Sequence, residues 1–442
     1  MRRLTISLSL FVLQLSWCMA QPWTMTQCMQ YAVKHNHQVK QAALELENYK
    51  TNQTSAIGKF LPAVDANIGA QYNFGRAIDP ETNGYTDVNT YYNGYSLNMS
   101  LPVFDGFGRL HALKAAKASV LMGHQALRQQ QDQTALNVLQ AFANAAYYEG
   151  LVRMADERVQ ETTLLLKQTR LLEEVGRKSA ADVAQVVSQQ AEADYELTRQ
   201  QNLLASALLE LKKEMAFPLS EELSVKSEES VHGDGTVDSI QQQGAVPMVL
   251  GDNPELLTAH YQIQTSKQEW QQARASLYPS LSLSAGLSTT YYHTLHVPSA
   301  SSFSNQFKNN MGEYIGATLS IPLFNRLQTL SSIRKAKNNY RIACESYEQK
   351  HMELEKLLRE AWLDWQGYKK QTIQMEKKVE ADSMAYRLTR RQFEEGLSTA
   401  IDLHTTSAQL LNSRATLLQC RLMAIVKEQL VRYYRGEQIW TE

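Results

Sequence analysis

Proline is missing from two long stretches: none occurs between Pro102 and Pro218, and none follows Pro322. Both stretches are therefore free to form unbroken helices. Cysteine is scarce, with four in 442 residues, and only Cys28, Cys344 and Cys420 lie beyond the N-terminal leader. An odd number of thiols argues against a disulfide framework. Lysine plus arginine number 44 against 45 acids, so no charge excess points to nucleic acid. Beyond the leader no run approaches the roughly 20 apolar residues of a membrane helix. Phosphate loops, nucleophile elbows and metalloprotease helices are absent from the sequence. His35, His37, His293 and His296 have no cysteine or carboxylate set at ligand spacing nearby. The residues thus offer no motif for catalysis, a cofactor or a metal, and none of these is expected.

What is present begins with an address. Arg2 and Arg3, the apolar run Leu4–Leu15 and the small Ala20 read as a secretory signal over residues 1–20, cleaved near Ala20. Cys18 resembles a lipoprotein cleavage site only faintly, because a bulky Trp17 precedes it. Past the leader, Val64, Ala66, Ile68, Ala70, Tyr72 and Phe74 alternate with Asp65, Asn67, Gly69, Gln71 and Asn73. A period of two marks a strand with one apolar and one polar face. Tyr95, Leu97, Met99 and Leu101 repeat this against Ser96, Asn98 and Ser100, across a polar loop over 75–93. The lengths and the flanking tyrosines suit an outer-membrane barrel hairpin over about 63–104.

The pattern then recurs. Asn36, Pro62 and Gly69 return as Asn253, Pro279 and Gly286 at an offset of about 217. Pro102, Gly176 and Asp182 return as Pro322, Gly396 and Asp402 at about 220. Leu281, Leu283, Ala285 and Leu287 oppose Ser282, Ser284, Gly286 and Ser288; Ile315, Ala317, Leu319 and Ile321 oppose Tyr314, Gly316, Thr318 and Ser320. The expected organisation is repeat 1 over 21–218, an acidic connector over 219–252 and repeat 2 over 253–442. Each repeat holds a helix, a hairpin (the second at about 280–324), a long helix, a tip (175–182 and 395–402) and a returning helix.

Four strands cannot line a hole in lipid alone, since an open sheet leaves edge amides and carbonyls unpaired. Closed barrels begin at about eight strands, so several chains must pool theirs. Helices of nearly 70 residues reach roughly 100 Å at 1.5 Å per residue and need supercoiled neighbours. Gly123 and Gly150 are candidate bend points in the first of them. The expected fold class is mainly α with a membrane β part: a long α-helical coiled-coil barrel continuous with a β-barrel.

In duplicated element order, in the Asn36 and Asn253-Pro254 entries, in the strand exits LPVFD and IPLFN, and in the tips VGRKSAAD and EGLSTAID, the chain resembles the TolC family of outer-membrane channels. The resemblance implies a homotrimer with twelve strands and a periplasmic helical tunnel. Its implied partners are a periplasmic adaptor protein, an inner-membrane transporter reached through that adaptor, and outer-membrane lipid. The implied function is the exit duct of a tripartite efflux system in a Gram-negative outer membrane. The exit channel of a type I protein secretion system is the alternative within transport, and a periplasmic coiled-coil scaffold the alternative outside it.

Several residues are singled out. Gly176 and Gly396 suit sharp helix reversals. By resemblance, Gly176, Arg177, Lys178 and Ser179, with Gly396, Leu397, Ser398 and Thr399, form adaptor-docking tips. Ser179 with Asp182, and Thr399 with Asp402, have capping-box spacing. The resemblance also places Asp182, Asp402, Phe393 and Ser398 around a periplasmic aperture, with Ser398 where family members carry an arginine. Tyr72, Tyr91, Tyr95, Tyr291 and Tyr314 read as an interfacial aromatic girdle.

Overall fold

The computed structural model describes residues 22–78, 84–87, 89–225, 250, 252–295 and 301–440. The leader with Cys18, most of the acidic connector and His296 lie outside them. In chain order the elements are α1 (Met25–His35), α2 (His37–Gly58), β1 (Ala63–Asn73), β2 (Arg76–Ile78), β3 (Tyr85–Asp87), β4 (Thr90–Phe104), α3 (Gly108–Glu174), α4 (Ala180–Met215), α5 (Pro254–Ala275), β5 (Ser280–Thr294), α6 (Phe303–Asn309), β6 (Gly312–Ser320), α7 (Gln328–Glu394) and α8 (Ala400–Tyr434). Two compact units result. The first takes the described residues of Met1–Leu44, Gln125–Leu257 and Gln349–Glu442; the second comprises the described residues of Glu45–His124 and Thr258–Glu348.

In the first unit, α1 is started by a capping box in which Thr24 and Gln27 satisfy each other's backbone N–H. Its Cys28, Met29 and Ala32 are fully buried against Val138 and Leu139 of α3, Leu211 and Met215 of α4, and Val426 of α8. Each Val, Leu or Met side chain among them contributes roughly 1.5–3 kcal/mol by leaving water. Asn36 breaks the first helix, where the sequence suggested one helical region. Its Oδ1 accepts the Gln38 N–H at 2.8 Å and its Nδ2 donates to the Glu214 carbonyl at 2.9 Å. Asn253 does the same at the start of α5. Its Oδ1 accepts from Glu255 and Leu256, and its Nδ2 donates to the Tyr434 carbonyl at 3.5 Å.

Helix α3 runs without interruption through both candidate bend points. The glycines instead admit close neighbours. A Cβ on Gly123 would sit 2.7 Å from the Tyr49 ring, and one on Gly150 would collide with Leu418. Cys28, Cys344 and Cys420 are free thiols.

In the second unit, β1, β4, β5 and β6 form one antiparallel sheet in the order β1-β4-β5-β6. Strand β4 is longer than its sequence pattern indicated and carries Pro102. Proline is tolerated there because β1 pairing stops at Ser100, and a register shift follows between Pro102 and Phe104. Asp105 caps α3 by accepting the Arg109 N–H at 2.9 Å. At both sheet exits the chain takes two successive left-handed residues, Gly106–Phe107 and Arg326–Leu327. Three short elements in the polar loops escaped the sequence reading. Strands β2 and β3 pair within the first loop, and α6 occupies the second, started by Ser302.

Candidate functional site

The register decides which side chains share a face. Val64, Met99, Ala285 and Ile315 fall in one row, as do Leu101, Leu283 and Ala317. Directly paired residues of an antiparallel sheet project to the same side, so the four apolar patterns merge into a single surface. Several of its side chains are bare: Ile68 is 78% exposed and Ile315 90%. The opposite face pools the rows Asp65, Asn98, Gly286, Tyr314 and Asn67, Ser96, Ser288, Gly312. Amides and hydroxyls bond laterally there: Asn67 donates to Asp65 at 2.7 Å, Asn98 to Asp65 at 3.2 Å and Asn98 to Ser96 at 3.4 Å. Among the described residues, strands β1 and β6 each have one neighbour only.

Of the tyrosines expected in a girdle, Tyr72, Tyr91, Tyr95 and Tyr291 stand on the apolar face, near the loops. Tyr72 packs on Tyr91 at 4.8 Å between ring centroids. Tyr95 and Tyr291 meet Phe307 and Phe303 of α6 at 5.4 and 5.2 Å. Tyr314 departs from this set. It is on the polar face, with its hydroxyl 3.5 Å from Asn98 Oδ1, because its even position in β6 pairs with Gly286. The sequence reading missed a second belt at the opposite end of the strands, where Phe60, Phe104, Phe107, Tyr278 and Phe324 are exposed. Aromatic residues flanking each strand end in the sequence were the available signal. The eleven residues of β1 extend roughly 36 Å, or about 27 Å in height at the ~40° tilt of barrel strands. An apolar band about 25 Å tall between aromatic girdles is what a barrel wall requires.

In the first unit, the two tips repeat one geometry. Gly176 and Gly396 have φ of 73° and 81°. The following N–H groups return to the helix end, Arg177 to Leu172 O at 2.8 Å and Leu397 to Gln392 O at 2.7 Å, closing a Schellman motif. Next come the capping boxes. Asp182 accepts the Ser179 N–H at 2.9 Å and hydroxyl at 2.8 Å, and Asp402 accepts those of Thr399 at 3.0 and 2.6 Å. Ser398 adds its hydroxyl to Asp402 at 3.3 Å. The Ser179 backbone and side chain hold the Asp182 carboxyl below its ordinary range, and the Thr399 hydroxyl and backbone do so for Asp402. Arg177 and Leu397 are exposed.

Phe393 must be corrected. It is 2% exposed, packed with Leu166, Val186, Ala400 and Leu403, and so lines no aperture in this chain. Its place one turn above the glycine turns it into the space between helices, and the Lys178 ammonium lies 3.9 Å from its ring centre. A polar cluster nearby was not legible. Glu161 of α3 accepts from Tyr386 of α7 and pairs with Arg390 at 3.4 Å and Arg158 at 3.6 Å, while Arg158 also reaches Ser407 of α8. Burial and then Glu161 push the Tyr386 phenol up. Its partners lie more than 200 positions apart, and one sequence carries no signal for such a pair. Among the described residues no cluster of metal-ligating side chains occurs.

Known proteins share this arrangement. The chain is 22% identical over 404 residues to the probable efflux pump outer membrane protein TtgC of Pseudomonas putida, covering 91% of this chain and 80% of that one. It is 22% identical over 426 residues to the alkaline protease secretion protein AprF of Pseudomonas aeruginosa, covering 90% and 81%. The crystal structure of the outer membrane protein VceC of Vibrio cholerae superposes with a TM-score of 0.76 at 15% identity, covering 94% of this chain and 96% of that one. The outer membrane efflux protein profile matches residues 28–216 and 245–433. The chain belongs to the outer membrane efflux protein family.

Proposed function

We propose that this protein is the outer-membrane exit duct of a tripartite efflux system, passively conducting small molecules from a periplasmic adaptor and an inner-membrane transporter to the exterior. The observation that carries the reading is the shared register of four strands, which makes one face apolar and the other polar while leaving β1 and β6 with open edges. Such a sheet is incompatible with lipid until its edges are paired. Three copies supply twelve strands and close the ring, with the polar faces turned to a watery lumen. The long helices α3 and α7 form the periplasmic part, as two copies of one structural repeat joined by the connector around 219–252. The reversals at Gly176 and Gly396 meet the adaptor, and Asp182 and Asp402 gather as six carboxylates at the periplasmic entrance. The double variant Asp182→Asn with Asp402→Asn is expected to lower cation preference in planar bilayers; unchanged reversal potentials would remove that ring.

The likeness to AprF supports export of a polypeptide as the second reading. The same walls serve either cargo, so the inner-membrane partner decides between them. Membrane fractionation with gel analysis tests the main reading. The protein should sediment with outer membranes and run as a detergent-resistant trimer that collapses to monomer on boiling. Recovery as a soluble periplasmic monomer refutes the duct and favours the scaffold alternative.

A further inference from the structure

The polar face of the sheet is almost free of charge. Its positions in β4, β5 and β6 are Gly, Ser, Thr, Asn, Tyr and one Pro, and β1 adds Ala63, Asn67, Gly69, Gln71 and Asn73. The single ionisable acid or base among them is Asp65. It occupies the row Asp65, Asn98, Gly286, Tyr314, which crosses all four strands. Both of its amide donors, Asn67 and Asn98, use Oδ2, so Oδ1 takes no hydrogen bond among the described residues. Tyr314 completes the row. Its ring lies over Gly286, where a Cβ would come within 2.5 Å of it, and its hydroxyl reaches toward Asn98.

We propose that Asp65 sets a second charge filter for the duct, a ring of three carboxylates within the barrel that favours cations and is separate from the entrance acids. The inference rests on the trimeric barrel described above. Twelve strands about 4.8 Å apart at ~40° tilt give a Cα radius of roughly 12 Å. The carboxylates then stand about 8 Å from the axis. That is inside the screening length of about 10 Å at 0.1 M salt and far outside the ~3 Å at 1 M. No other fixed charge on this face opposes them, and the Asn67 and Asn98 amides hold each carboxylate in place.

The test uses full-length protein in planar bilayers under KCl gradients, in the Asp182→Asn/Asp402→Asn background so that the entrance acids do not contribute. Asp65→Asn should lower the cation-to-anion permeability ratio by about two-fold or more below 0.1 M KCl, and the difference should vanish near 1 M. Asp65→Lys should invert the preference. Should the lysine variant fail to assemble, the isosteric asparagine gives the same reading, and Ser96→Asp, one row away, should raise the ratio. Channels that conduct normally with a ratio unmoved by Asp65→Asn overturn the filter while leaving the duct intact. Absence of any conductance in the parent protein overturns the duct itself, and the filter with it.

Discussion

Asn36 and Asn253 show how much one side chain can fix. Each accepts backbone N–H groups at a helix start and donates to the carbonyl end of another helix, Glu214 or Tyr434. Asn253 is fully buried, so truncation strands a donor and a carbonyl away from water. Asn253→Ala should cost about 1–3 kcal/mol, measurable as a lower thermal midpoint in detergent, and Asn253→Asp, which has no amide to donate to the Tyr434 carbonyl, should not restore it. Asp132 gives the pH dependence. It is buried, accepts the Trp440 indole N–H at 2.9 Å, and burial pushes its carboxyl up to about 6. A raised carboxyl means the folded chain binds the proton more tightly than the unfolded chain does. This group therefore favours folding below pH 4 and loses that contribution as pH rises from about 4 to about 6. Asp132→Asn should flatten the thermal midpoint across that window, and an unaltered pH slope counts against the assignment. Asp182 and Asp402 have the opposite sign. Their lowered carboxyls stabilise the tips at neutral pH, and that contribution is lost as acid protonates them. The protection of the Asp182 and Asp402 amides from exchange, relative to their intrinsic rates at each pH, should fall there.

At the scale of elements, the strands were the most legible part of the sequence. A period of two survives without an alignment, and the sheet's register pooled the four apolar sets on one side. The capping boxes were legible too, because Ser179-x-x-Asp182 and Thr399-x-x-Asp402 are local. Elements whose cause is distant were not. Gly123 and Gly150 looked like bends, yet their partners Tyr49 and Leu418 decide their role. Phe393 looked like an aperture residue, yet three other helices bury it. Helix α6 hid in a polar loop because Phe303 and Phe307 are too few to show a period. The sheet makes a paired prediction. Leu97→Lys puts a charge on the apolar face, costing roughly 2–4 kcal/mol if that face meets lipid, and should abolish outer-membrane trimers. Its neighbour Ser96→Lys, on the polar face, should assemble normally. Equal behaviour of the two in membrane fractions would contradict the two-faced wall.

At the scale of the whole molecule, one chain is an incomplete object. Among the described residues its sheet has two open edges, and large apolar side chains such as Ile315 and Phe324 lie bare; in the proposed duct, further copies of the chain and lipid cover them. No helix among the described residues is long and apolar enough to cross a membrane; in the duct proposed above, the sheet is the part that spans it. Single-channel recording from purified protein in a planar bilayer tests this most directly. The account predicts discrete, ohmic openings carried by detergent-stable trimers, with conductance consistent with a water-filled lumen. A protein that stays monomeric, remains soluble without detergent and never conducts ions would contradict it.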